Sequence, residues 1–161
     1  MKKLVLLRHA KSSWEYDVED RNRPLTENGI KRIVNMAKSN PSIFLETDVI
    51  YSSPANRALH SATLIMQSLS ISFEKLKIDE RLYTFKSQQL LSFINKLDDV
   101  SHKVVCVGHN PAFSIASGYL SNSNIVDLPT AAWATIQFNQ NQWSKVENGI
   151  LSLGLPKEIL K

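Results

Sequence analysis

A three-layer α/β fold, with helices on both faces of a mostly parallel central sheet, is what the sequence predicts, and three observations predict it. Short apolar runs of strand length alternate with stretches whose apolar residues recur at helical spacing. Two of those runs, 4–7 and 104–107, contain no polar position, as befits strands covered on both faces. At 161 residues and 43% hydrophobic content, the chain can bury one core and is short for two, so a single domain over 1–161 is expected.

The elements follow in order. Run 4–7 is the first strand, and a polar, turn-rich stretch over 11–24 leads to Thr26, an expected helix N-cap. Ile30, Ile33, Val34 and Ala37 then mark an amphipathic helix over 26–39. A second strand is expected at 48–51. Ser53 and Pro54 read as N-cap and first residue of a long helix whose inner stripe is Ala55, Leu59, Ala62, Met66 and Leu69. A short strand at 76–78 and a helix carrying Leu90, Leu91, Ile94 and Leu97 come next. After strand 104–107, Asn110 and Pro111 repeat the cap-plus-proline start. Strands at 134–138 and 143–146, joined across "NQNQ", are expected to form an edge hairpin.

Composition narrows the function classes. Cys106 is the sole cysteine, which excludes an internal disulfide and a thiolate zinc cluster and suits a reducing compartment. The net charge of +4 comes from scattered basic residues with no nucleic-acid motif, so nucleic acid is not an expected partner. No apolar run is long enough to span a membrane, and the run after the two leading lysines is too short for a signal peptide. A cytoplasmic monomer is the expectation.

In such folds ligands bind beyond the carboxyl ends of the strands. There the sequence places Arg8 and His9, then Ser52 and Ser53, then Gly108 and His109. Arg8, Arg23 and Arg57 are permanent cations whose planar forks match phosphate oxygens, and helix starts near Ser53 and Asn110 add partial positive charge. This points to a phosphate pocket. Two histidines in it suggest chemistry, because neutral imidazole attacks phosphorus and divides one difficult displacement into two easier ones. No P-loop, HExxH or dinucleotide glycine pattern is present.

Four segments carry a family resemblance. "LLRHAKSSW" resembles the RHG signature of the histidine phosphatase superfamily, in the alanine form of the SixA group of phosphohistidine phosphatases. "DRNRPLTENG", "SSPANRALHSA" and "VCVGHNPAFS" are similar to that group's arginine-proline-leucine-threonine, second-arginine and second-histidine segments, and the tail is similar to its closing strands. The resemblance implies a phosphoglycerate mutase-like fold and a phosphatase with no metal or cofactor. It implies His9 as nucleophile, Arg8 and Arg57 as phosphoryl ligands, His109 as a second pocket histidine on the same oxygens, and Arg23 as a further substrate-binding residue.

Many superfamily members that cleave phosphate esters supply a carboxylic acid after the third strand. Here "IDERLYTFKSQQ" offers Glu80 as a possible proton donor, or a surface ion pair with Arg81. A missing acid favours P–N cleavage, since protonated phosphohistidine expels neutral imidazole whereas an alkoxide is far more basic. Short connections leave little material for a lid, which suits a phosphorylated side chain of another protein. The expected substrate is therefore a phosphohistidine carrier protein; alternatives are a small phosphorylated metabolite, or a non-catalytic phosphate or phosphoprotein sensor. His60 and His102 are expected to face solvent, Cys106, Trp133 and Trp143 to be structural, and Asp20 and Arg21 to pair locally. Trp14 either packs or lines the pocket mouth.

Overall fold

The computed structural model describes residues 1–155. A six-stranded sheet in the order β3-β2-β4-β1-β5-β6 forms its centre. The strands are β1 (Lys2–Arg8), β2 (Val49–Ser52), β3 (Leu76–Ile78), β4 (Lys103–Gly108), β5 (Trp133–Phe138) and β6 (Ile150–Gly154). β1 to β4 run parallel, while β5 is antiparallel to β1 and β6 to β5. The helices are α1 (Glu27–Ser39), α2 (Pro41–Phe44), α3 (Asn56–Ser68), α4 (Ser87–Asn95) and α5 (Ala112–Ser121).

The two unbroken apolar runs are explained by the sheet's position. Leu4, Leu6, Val104 and Cys106 face the cluster that includes Leu90 and Phe93 of α4 and Phe113 of α5. Val5, Leu7, Val105 and Val107 face the opposite cluster, with Ile33 of α1 and Ile65 of α3. Alternate side chains thus enter different cores, so neither parity can be polar. Cys106 is fully buried, and burial raises its thiol pKa.

Chain order makes the crevice. β1 and β4 are neighbours, yet the chain leaves β1 toward α1 on one face and leaves β4 toward α5 on the other. Diverging connections open a gap beyond the paired ends Arg8 and Gly108. His9 and His109 are the next residue on each side.

Helix starts differ in detail from the sequence expectation. Thr26 caps α1 as expected, its Oγ1 accepting from Gly29 N at 2.9 Å, a contact worth about 1 kcal/mol. Ser53 does not cap α3, which starts at Asn56; its Oγ accepts from Ala55 N at 3.2 Å and holds the turn before the helix. Asn110 precedes α5 and accepts from Ser114 N at 3.1 Å, and the Asn110–Pro111 peptide is cis.

The strand expected at 143–146 is not formed. Trp143–Lys145 is a 3-10 turn, because Asp99 Oδ1 takes the Trp143 amide at 2.7 Å and Ser101 O takes its indole N–H at 2.9 Å. Those contacts sink the indole beside Phe138 instead of leaving the backbone for a ladder. β6 lies further along, and the last residues of the expected closing segment, 156–161, fall outside the described residues.

Candidate active site

His9 is held at both backbone groups. Its N–H donates to Gly108 O at 3.1 Å and its carbonyl accepts from Ala131 N at 3.1 Å. The imidazole lies 2.6 Å from Ala10 O through Nδ1. A carbonyl can only accept, so the proton sits on Nδ1 and Nε2 keeps its lone pair. Arg57 Nε donates toward that Nε2 at 3.3 Å. Burial, then the positive charges of Arg57, Arg8 and Arg23, lowers the His9 pKa to about 4, against a raising contribution from the Ala10 hydrogen bond. His9 is therefore neutral at pH 7, with its lone-pair nitrogen turned toward a guanidinium.

His109 stands across the crevice, its ring 5.3 Å from that of His9. Burial, then the fields of Arg57 and His9, lowers its pKa to about 3. Its Nε2 is 2.8 Å from Ser53 Oγ, and its Nδ1 is buried with no protein partner. The Arg8 guanidinium donates to Leu128 O at 2.8 Å, while its Nε is also buried and unpartnered. Buried polar atoms without a hydrogen bond are rare and costly. Both unpartnered side-chain atoms found among the described residues belong to this crevice, where an oxygen-rich ligand would satisfy them.

The other two arginines close the site from the loop and from α3. Arg57 opens the first turn of α3 and is buried, and Arg23, also buried, donates through Nε to Ser13 O at 3.1 Å and through Nη2 to Ser12 Oγ. Its guanidinium carbon lies over the Trp14 ring, 3.3 Å from the centroid. The cleft these residues line measures about 430 Å³, with Trp14 and Phe85 at its rim. A larger cleft of about 690 Å³, lined by residues of α4, α5 and the turn at Trp143–Lys145, offers no histidine or arginine.

Arg8, His9, Arg23, Arg57 and His109 are thus brought together, and Glu80 is not. Glu80 is exposed and paired with Arg21 rather than with Arg81, which binds Asp79. Asp20 does not pair with Arg21; it reaches into the cleft, where Oδ2 accepts from Arg57 at 2.9 Å and Tyr83 at 2.6 Å, and Oδ1 accepts from Arg23 at 3.1 Å. Sequence reasoning missed this carboxylate, although its placement three residues before Arg23 in "DRNRP" was a signal. His60 is half-buried on α3, and His102 is exposed. No cluster of three metal-ligating His, Cys, Asp or Glu side chains occurs among the described residues.

Comparison with known proteins bears on the fold and the family. An uncharacterized chloroplastic protein of Arabidopsis thaliana is 28% identical over 155 residues, covering 89% of this chain and 70% of its own. The crystal structure of a protein named as the phosphohistidine phosphatase SixA of Agrobacterium tumefaciens superposes with a TM-score of 0.76 at 23% identity, over 85% of this chain and 92% of that one. The protein histidine phosphatase SixA solved with tungstate superposes with a TM-score of 0.82 at 17% identity, over 98% and 99%. Those likenesses extend to the fold expected for phosphoglycerate mutase-like proteins. The family model described as the histidine phosphatase superfamily (branch 1) matches residues 4–86, a span that carries Arg8, His9, Arg23 and Arg57, and the chain belongs to that superfamily of phosphatases.

Proposed function

We propose that the protein is a metal-independent phosphatase that works through a phosphoryl group carried on His9 Nε2, with phosphohistidine on a partner protein as its preferred substrate. The observation that carries the mechanism is the His9 tautomer: Nδ1–H is committed to Ala10 O, and the bare Nε2 lies beside Arg57.

In the first step His9 Nε2 attacks phosphorus while the substrate P–N bond breaks. The electron pair of that bond goes to the substrate ring, which leaves as neutral imidazole when its other nitrogen carries a proton. His9 retains Nδ1–H and becomes a phosphorylated imidazolium, a charge that the Ala10 carbonyl supports. In the second step water attacks the same phosphorus and the Nε2–P bond breaks. Neutral His9 is regenerated, and dihydrogen phosphate leaves and gives its excess proton to solvent. Arg8 Nε and His109 Nδ1, which have no protein partner, and Arg57, once Asp20 gives way, are the donors for the three phosphoryl oxygens, and such fixed donors favour the charge of the transition state. For His109 to donate from Nδ1, Ser53 Oγ–H donates to its Nε2 while accepting from Ala55 N.

Two features favour a protein-borne P–N substrate. The carboxylate in the cleft, Asp20, is held near pKa 2: burial opposes its ionisation, but hydrogen bonds from Tyr83, Arg57 and Arg23 outweigh that effect. It has no proton to give an alkoxide at neutral pH, and neutral imidazole needs none. The rim is also open, with Trp14 78% and Phe85 48% exposed, leaving apolar surface for a bulky carrier.

The test compares phosphate release from a histidine-phosphorylated carrier domain with hydrolysis of p-nitrophenyl phosphate, chelator present in both. Chelator-resistant release favouring the carrier is expected. Strong ester turnover with an untouched carrier would replace this reading with that of a small-molecule phosphomonoesterase, and no turnover of either would point to a sensor.

A further inference from the structure

Asp20 poses a question that the reaction leaves open, namely what a carboxylate held ionised at neutral pH does in a pocket built for anions. It takes up the donors a phosphoryl group needs. Arg57 has Nε on His9, Nη1 on the Asp20 carbonyl at 2.6 Å and Nη2 on Asp20 Oδ2. The terminal nitrogens of Arg23 are on Asp20 Oδ1 and Ser12 Oγ. The two carboxylate oxygens thus bridge two guanidinium groups, as two oxygens of a phosphate would.

The geometry points to Asp20 as an internal anion that competes with inorganic phosphate for Arg23 and Arg57 and so keeps the product from occupying the site. This inference rests on the phosphoryl pocket proposed above. Side-chain exposure makes the exchange feasible. The Asp20 side chain is 41% exposed, so its carboxylate can rotate into water while its backbone carbonyl stays on Arg57 Nη1. Every phosphoryl ligand must displace the carboxylate, but the consequence differs between ligands. A phosphorylated protein also gains contacts at the exposed rim of Trp14 and Phe85, whereas free phosphate gains only the pocket. Asp20 therefore lowers the affinity of both, and only the carrier recovers part of that loss at the rim, which favours product release. The opposite role is equally concrete: if Asp20 only orders the arginines, its loss weakens phosphate binding.

The experiment measures inorganic phosphate binding at pH 7 by calorimetry, for wild type, Asp20→Asn and Tyr83→Phe. Asparagine keeps the shape and one acceptor without the charge, and Tyr83→Phe removes a donor that holds the carboxylate inward while keeping the ring. The expected result is phosphate binding tighter by about tenfold in Asp20→Asn and by about two- to threefold in Tyr83→Phe, given the strength of charge-assisted contacts. Unchanged or weaker binding in Asp20→Asn overturns the inference while leaving the phosphoryl pocket intact. Should Asp20→Asn fail to fold, unchanged or weaker binding in Tyr83→Phe overturns it instead. No phosphate binding to any of the three overturns the pocket reading as well.

Discussion

Arg57 and His60 stand one turn apart on α3 and separate the site from its surroundings. Arg57 is buried and directed at His9 Nε2, whereas His60 is half-buried and does not line the cleft. Arg57→Ala should lower kcat/KM by at least about a hundredfold, the scale set by loss of one fixed transition-state donor. His60→Ala should stay within about twofold, since His60 lines no part of the cleft. Steady-state kinetics on one substrate check both, and equal losses would contradict the placement of the pocket. At this scale the sequence was informative wherever a residue follows a strand: Arg8, His9 and His109 are placed by the ends of β1 and β4. For Asp20 it suggested only a local pair with Arg21, because Arg57 and Tyr83, which draw the carboxylate into the cleft, lie 37 and 63 positions away and are joined to it only by the fold. Glu80 shows the converse, an acid in a suggestive segment that the fold turns outward to Arg21.

Among the elements, α1 anchors the loop that carries Ser12, Ser13 and Arg23. The Thr26 amide donates to Lys11 O at 2.9 Å, and Gly29, on the first turn of α1, faces the same carbonyl. A Cβ on Gly29 would meet the Lys11 carbonyl oxygen, a backbone atom that cannot rotate away. Gly29→Ala should thus push the loop off α1, lowering Tm by several degrees for a cost of about 1–3 kcal/mol and weakening phosphate binding through Arg23. Thermal unfolding with and without phosphate checks it; an unchanged Tm would show that the contact is slack. The element order was legible because helical and strand periods alternate cleanly up to β5. Beyond it, Trp143 and Val146 look like strand positions, but their spacing equally fits one 3-10 turn, and only the reach of Asp99 and Ser101 decides between them.

For the whole molecule, two buried neutral histidines make stability depend on pH. The folded pKa values of His9 and His109, about 4 and about 3, lie below the unfolded value of roughly 6.5. Between those limits the unfolded chain binds up to about two more protons than the folded one, so stability falls as pH drops from roughly 6.5 toward 4. Asp20 acts at the acid end, its stabilisation being lost as pH falls from the ordinary carboxylate range through about 2. Urea unfolding at several pH values should show this slope, with about one proton of it removed in His109→Gln; a flat profile from pH 7 to 5 would contradict the burial of both rings.

The central claim is that the phosphoryl group passes through His9 Nε2. A rapid alkaline quench during turnover of a phosphohistidine carrier, followed by peptide mass spectrometry of the enzyme, would trap that group. An alkali-stable, acid-labile phosphoryl group is expected on His9, absent from His9→Ala together with turnover. Phosphate found on His109, or undiminished turnover in His9→Ala, would contradict it.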